Sequence, residues 1–419
     1  MTATPPLSSH AQRFASLDII RGVAVLGILL LNIVGFAMPG AAYENPRAYG
    51  GWHGADLLVW GVNFVLFDGK MRGLFSFLFG ASLLLVTQRA EASGRDPARV
   101  HYTRMAWLLV FGLAHLWLVW DGDILAHYAL IGMIAFPLRR LPTERLVVLG
   151  LLLVLAAMAM FALIPLQVWT LEHAAPGIAA TPAHIRQLQG FADTFGTPSP
   201  QAIARELARY RSGYADILQA RFAENATMPL TMLFFYGPET LAYMLLGMAS
   251  LRSGMLTGTW QRERYRRWLR SCWGVAIPAG CILAGWLIAS GFGLLPVTLA
   301  GLTLTAPFRL LMILGWICLL QLVLQPGRGL ALHLAAAGRM AFTNYLVTSL
   351  ICTTVFYGYG LGWFGQLSRW QLYPVVFAVW ALILLWSKPW LSHFRFGPFE
   401  WIWRSLARGA LQPIWRTAF

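Results

Sequence analysis

The pattern of apolar and polar positions divides the chain into long hydrophobic runs separated by short polar loops. Runs of about 20 apolar residues have the length that an α-helix needs to cross a bilayer. This pattern predicts an all-α fold, a polytopic membrane helix bundle of about ten transmembrane helices. The predicted spans are 17–38, 69–88, 104–120, 123–140, 146–168, 229–252, 268–291, 305–325, 334–358 and 371–391.

Two segments depart from this regular pattern. Residues 56–88 would form a helix of about 50 Å at 1.5 Å per residue, which is too long for one crossing. The "DGK" at 68–70 supplies a break, so 53–67 is predicted to lie along the outer face or dip into it. Residues 169–228 indicate an external amphipathic linker or cap, which separates a five-span half at 1–168 from a second at 229–419.

The charge distribution favours a lipid bilayer over nucleic acid as the partner of this chain. Only 12% of the residues are charged, against roughly 25% in a soluble domain, although the formal net charge is +15. Arginines concentrate in the loops 89–104, 139–145 and 252–270, and positive loops remain cytoplasmic. Both termini are therefore predicted to be cytoplasmic. The small residues after the first span also resemble a signal-peptide cleavage site, but the apolar run is too long for that interpretation.

The stretch "HLWLVWDGDILAHYALIGM" at 115–133 places four ionisable groups inside an apolar region. We interpret it as an outward-facing helical hairpin, with Asp121 and Asp123 in the turn. Asp123 and His127 are spaced i, i+4, and a carboxylate that orients an imidazole is what a general base requires. His115 lies on the preceding span. Alternatively, Asp123 caps the fourth helix and the histidines lie at the interface.

Two cations and one further histidine are predicted near the same outer boundary. His53 belongs to the external loop, and Lys70 and Arg72 start the second span at its outer end. Histidines, a carboxylate and cations around one opening suggest a site for an anionic or acyl substrate. In the alternative, Lys70 and Arg72 only anchor a helix end by snorkelling.

A third set of polar residues is predicted within the spans of the C-terminal half. Glu239 falls near the middle of the sixth span, and Arg309 lies at a comparable depth. Pairing would reduce the cost of burying both charges and would mark a substrate path. The four cysteines lack the spacing of a disulfide framework or a zinc site, so no metal is predicted.

Several motifs carry a resemblance to a known family. "LDIIRGVAVLGILLLNI", "GKMRGLFSFLFGASLLL", "PETLAYMLLGMA", "GRMAFTNYLVTSLICTTVFYGYGLGWFGQLS" and "GPFEWIWRSLARG" resemble the bacterial YeiB-type membrane proteins, whose C-terminal half is domain of unknown function 418. The N-terminal half is similar to the heparan-α-glucosaminide N-acetyltransferase group. The YeiB-type resemblance implies a bacterial inner-membrane location. The acetyltransferase resemblance implies a catalytic role for a loop histidine, which corresponds to His53, and the family pattern also includes His115 and Asp123.

The leading hypothesis is therefore an acyltransferase that modifies an envelope glycan, a lipid headgroup or a small exported metabolite. His53 or His115 would deprotonate the acceptor or carry the acyl group, and Lys70 and Arg72 would bind anionic oxygens. No bound cofactor is predicted, and acyl-CoA would be the donor substrate. The alternatives are a transporter or flippase that uses Glu239 and Arg309 as a relay, and a non-catalytic scaffold or sensor.

Overall fold

The computed structural model describes residues 9–175 and 181–416, with side chains described from Ala15 onward. Apart from short turns, the described chain is built of α-helices joined by loops. The helices are α1 (Ser9–Ala37), α2 (Ala41–Glu44), α3 (Gly54–Leu66), α4 (Lys70–Ala92), α5 (Pro97–Leu118), α6 (Leu125–Leu138), α7 (Thr143–Glu172), α8 (Pro182–Phe195), α9 (Pro200–Tyr210), α10 (Tyr214–Glu224), α11 (Met228–Arg252), α12 (Arg262–Ala289), α13 (Leu294–Val297, continued by the π-helix Thr298–Leu304), α14 (Ala306–Val323), α15 (Gly329–Arg339), α16 (Ala341–Phe356), α17 (Tyr373–His393) and α18 (Pro398–Arg408).

The helix lengths confirm a membrane helix bundle. Within the described residues, six helical stretches are long and apolar enough to cross a bilayer, and three shorter apolar helices accompany them. The predicted total of ten crossings stays a prediction. One predicted span, 334–358, is wrong as a single helix, because it is divided at Met340 into α15 and α16.

The break at "DGK" is confirmed, and it lies deeper than predicted. α3 ends at Leu66 and α4 begins at Lys70, with Gly69 at a φ of 66° that glycine adopts without strain. α3 packs along α12, where Val65 faces Gly280, so 53–67 dips inward rather than lying along the surface. The start of α4 faces Gly27, well inside α1, so the predicted outer-end placement of Lys70 and Arg72 is wrong.

The basic loops converge on one end of the bundle. Arg252 donates hydrogen bonds to the carbonyl oxygens of Arg139 and Leu141, and Arg139 lies 3.7 Å from Glu91. The 89–95, 139–145 and 252 regions are therefore neighbours, as a common cytoplasmic face requires.

The helices α8 to α10 cover the opposite end. Tyr210 donates to Asp121 in the α5–α6 turn at 2.8 Å, and Asn45 donates to the carbonyl oxygen of Gly196 at 3.1 Å. This cap, residues 181–224, thus lies over the turn that contains the predicted catalytic carboxylate.

The two halves of the chain share one hydrophobic core. α4 and α11 cross so closely that a Cβ at Gly80 would lie 2.0 Å from the carbonyl oxygen of Met244, and one at Gly247 would lie 2.0 Å from that of Phe77. Small residues at such crossings let helix backbones approach in membranes. This contact fixes α4, which carries Arg72, against α11, which carries Glu239.

Candidate active site

His115 and Asp123 form a buried pair at the α5–α6 turn. Nδ1 of His115 lies 2.8 Å from Oδ1 of Asp123, and the two residues are 3% and 1% exposed. The second carboxylate oxygen of Asp123 accepts a hydrogen bond from the backbone N–H of Ala126 at 2.8 Å, which caps the start of α6. Asp123 therefore both caps α6 and lies within hydrogen-bond distance of His115.

The other nitrogen of His115 has no partner among the described residues. Nε2 is buried and forms no hydrogen bond, although buried polar atoms are usually satisfied. If Nδ1–H donates to Asp123, Nε2 is left with a free lone pair that can accept a proton.

The rings that flank His115 also line a cleft between α1 and α16. Tyr345 and Trp120 have ring centroids 5.2 Å and 6.5 Å from that of the imidazole. The cleft encloses about 260 Å³ of space, its open side included, and its polar lining residues are Asn32, Thr348 and Ser349. The cleft adjoins the His115–Asp123 pair through these two rings.

His127 belongs to a different environment from the one predicted. Its Nε2 lies 2.9 Å from Oγ1 of Thr240 on α11, and no hydrogen bond joins it to Asp123. The i, i+4 spacing placed both side chains on one helix face, but Asp123 precedes the first turn and faces α5 instead. The i, i+4 pairing of Asp123 with His127 is therefore not formed, and His115 is the histidine within reach of Asp123.

The predicted pairing of Glu239 with Arg309 is confirmed, and Arg72 joins it. Oε1 of Glu239 lies 2.5 Å from Nη1 of Arg309, and Oε2 lies 2.6 Å from Nη2 of Arg72. Tyr243 donates to the same carboxylate at 3.1 Å. This Arg72–Glu239–Arg309 triad holds two positive charges and one negative charge beside the break between α3 and α4.

Lys70 stabilises the break between α3 and α4 rather than lining an open substrate site. It is 5% exposed, and its ammonium donates to the backbone carbonyl oxygen of Phe64 near the end of α3. A cation at the C-terminal end of a helix satisfies a free carbonyl and complements the helix dipole.

His53 lies apart from the other candidates. It precedes α3 with an exposed ring against Trp52, at a centroid distance of 4.0 Å. In the part of the chain that the structure describes, no hydrogen bond or ion pair joins it to His115, Asp123 or His127. The four predicted catalytic residues thus occupy three places.

Tyr345, Trp120 and Thr240 were not predicted as site residues. Tyr345 and Thr240 lie on helices far along the chain from the histidines that they contact, so no local spacing connects them. Trp120 is adjacent in sequence, but an aromatic residue in an apolar run gives no signal of its own.

Comparison with known proteins identifies the family. A family model described as "Protein of unknown function (DUF418)" matches residues 250–410. "Uncharacterized protein YeiB" of Escherichia coli (strain K12) is 34% identical over 409 residues, which cover 96% of this chain and 98% of that protein. The chain belongs to the YeiB-like DUF418 family.

A second relative in this family comes from a different bacterium. "Uncharacterized protein YxaH" of Bacillus subtilis (strain 168) is 31% identical over 413 residues, with 96% of each chain covered. No solved structure shows significant similarity to the chain.

Proposed function

We propose that this protein is an acyltransferase of the bacterial inner membrane. It transfers an acyl group from acyl-CoA to a hydroxyl or amine of an envelope glycan, a lipid headgroup or a small exported metabolite. The observation that carries the proposal is the His115–Asp123 pair, in which the contact at 2.8 Å leaves Nε2 without a partner. Trp120 and Tyr345, whose rings flank the imidazole, line a neighbouring cleft.

The reaction follows from the two nitrogens of His115. Nε2 accepts the proton of the acceptor O–H or N–H while the acceptor atom attacks the thioester carbonyl carbon. The new C–O or C–N bond forms, the C–S bond breaks, and the leaving thiolate takes the proton back from the imidazolium. Asp123 keeps the imidazole in the required tautomer and stabilises the imidazolium. His53 stays the alternative base or acyl carrier, as the family resemblance implies.

Replacing Asp123 with asparagine tests this role. The amide preserves the shape and the α6 cap but removes the charge, so acyl transfer should fall by roughly 10²- to 10⁴-fold. The assay incubates purified protein with labelled acetyl-CoA and candidate acceptors and measures free thiol and labelled product.

Asp121→Asn is the matched control, because Asp121 lies two residues away and bonds Tyr210 rather than a histidine. Asp121→Asn should keep most of the activity. Full activity in Asp123→Asn would contradict the proposal.

A transporter is the second candidate, and the buried triad favours it. Charges inside a membrane bundle often mark a substrate or ion path, and broken helices often form the binding sites of transporters. The triad lies beside such a break, and Arg309 also donates to the carbonyl oxygen of Gly301 in the π-helix at 3.3 Å.

Glu239→Gln and Asp123→Asn together separate the candidates. In proteoliposomes assayed electrically with a panel of small anions, a transporter should lose its currents in Glu239→Gln and keep them in Asp123→Asn. An acyltransferase should show no currents and should respond to Asp123→Asn in the transfer assay.

A further inference from the structure

A second cleft, which we call the acidic cleft, opens between α1, α3 and the π-helix. It contains about 470 Å³ of space, its open side included. Its wall combines two carboxylates with a phenol, an amide, a guanidinium and an indole, from Glu44, Asp68, Tyr43, Asn63, Arg369 and Trp60. Neither His115 nor Asp123 lines it.

Neither carboxylate in the acidic cleft is paired. Within residues 15–175 and 181–416, no side-chain hydrogen bond or ion pair is formed by Glu44 or Asp68. Burial and the charge of Asp68 raise the pKa of Glu44 to about 7, although Arg309 and Arg72 oppose that shift. Two carboxylates in one cleft repel each other unless a proton or another cation lies between them.

The nearest lysine does not supply that cation as an ion-pair partner. The ammonium of Lys70 donates to the carbonyl oxygen of Phe64, and the guanidinium of Arg309 is engaged by Glu239 at 2.5 Å. The carboxylates therefore remain free for a cation from outside.

Arg369 supplies an independent sign of a ligand on the same wall. It is 4% exposed, and its Nη2 donates to the carbonyl oxygen of Ala42 at 2.8 Å. Its Nε lies buried without a partner. An acceptor on a bound compound would satisfy this atom.

The wall suits an organic cation better than a metal ion. The described residues contain no group of three or more histidines, cysteines or carboxylates that could hold a metal. Leu31, Val34 and Trp60 add an apolar part to the wall, which suits the carbon skeleton of an organic compound. We propose that the acidic cleft binds a small organic ammonium compound, with its cationic group between Glu44 and Asp68 and a hydrogen-bond acceptor facing Nε of Arg369.

Calorimetry on the full chain in nanodiscs tests this site without an acyl donor, so its result is independent of the proposed transfer reaction. The probes are ethanolamine, serine and lysine, with lactate and sodium chloride as compounds that lack an organic ammonium group. At least one amine should bind, and neither lactate nor sodium should bind comparably. Binding by none of the amines, or equal binding by lactate or sodium, would overturn the proposal.

Substitutions then locate the binding. Glu44→Gln and Asp68→Asn should each raise the Kd for the amine by about tenfold or more, since each removes a charge-assisted contact. Glu172→Gln is the matched control, because Glu172 is an exposed glutamate at the end of α7, and it should leave the Kd unchanged. An unchanged Kd in both Glu44→Gln and Asp68→Asn would place the binding elsewhere and overturn the proposal.

The pH profile of the wild type gives a test that needs no variant. An ammonium compound prefers the ionised form of Glu44, whose pKa is raised to about 7. The affinity should therefore rise between about pH 6 and pH 8, while Arg309, Arg72 and Arg369 keep their charge and Tyr43 stays neutral. Lys70 lies close to Asp68, and any loss of its positive charge at high pH acts in the same direction. A flat profile for an amine that binds would contradict the role of Glu44.

Discussion

Glu239 is the single anion of the buried triad, and its replacement by glutamine should destabilise the protein strongly. The carboxylate contacts Arg309 at 2.5 Å, Arg72 at 2.6 Å and the Tyr243 hydroxyl at 3.1 Å. Glutamine has nearly the same shape, so the packing is preserved. What changes is the charge, because two guanidinium groups would then lie together without an anion.

The expected magnitude follows from the burial of the three partners. The Glu239 and Arg309 side chains are 3% and 11% exposed, so this is a buried pair, and loss of one partner of such a pair costs about 3–5 kcal/mol. The Arg72 side chain is 23% exposed, so Arg72→Gln should cost only about 1 kcal/mol. For a chain of 419 residues, Glu239→Gln should lower Tm by roughly 3–6 °C.

Thermal unfolding in detergent, followed by tryptophan fluorescence, measures this difference. Glu263→Gln is the control, because Glu263 forms an exposed pair with Arg266 at 3.5 Å and its loss should change Tm by about 1 °C or less. A Tm for Glu239→Gln within 1 °C of the wild type would refute the electrostatic role of the triad. A drop in Arg72→Gln as large as that in Glu239→Gln would refute the ranking by burial.

Two further predictions concern Lys70 and the orientation of the chain. Lys70→Met should lower the free energy of unfolding by about 1–2 kcal/mol, because the Lys70 ammonium donates to a carbonyl oxygen of α3. The KM for acyl donor and acceptor should not change, and a raised KM with normal stability would restore the substrate-binding role. Cysteines introduced in the cap at 181–224 should react with an impermeant thiol reagent added to intact cells. A cysteine at 262 should not react, because the basic loops are predicted to be cytoplasmic, and labelling at 262 would contradict the topology.

The sequence was sufficient to predict features that depend on local periodicity or on the high free-energy cost of a charge inside a membrane. Apolar runs predicted the membrane bundle, and the break at 68–70 followed from the excessive helix length together with the "DGK" sequence. The Glu239–Arg309 pair was predictable because an unpaired charge in a membrane interior is expensive, so a second charge at a similar depth is its natural partner.

Contacts between different helices of the bundle could not be predicted from the sequence. The depth of Arg72 depends on how α4 packs against α1 and α11, and a snorkelling cation at a helix end has the same local sequence. His127 has the ideal spacing to Asp123, yet Thr240 is its partner because α11 lies beside α6. Helix spacing gives the neighbours on one helix, whereas the neighbours on other helices depend on the tertiary packing.

The close crossing of α4 and α11 has a consequence for the order in which this protein assembles. Gly80 packs against the backbone at Met244, which the ribosome synthesises more than 160 residues after Gly80. The first five hydrophobic segments can enter the bilayer as independent helices, but α4 lacks its closest neighbour until α11 has been inserted. We therefore expect α4 to reach its final packing only after α11 has been inserted.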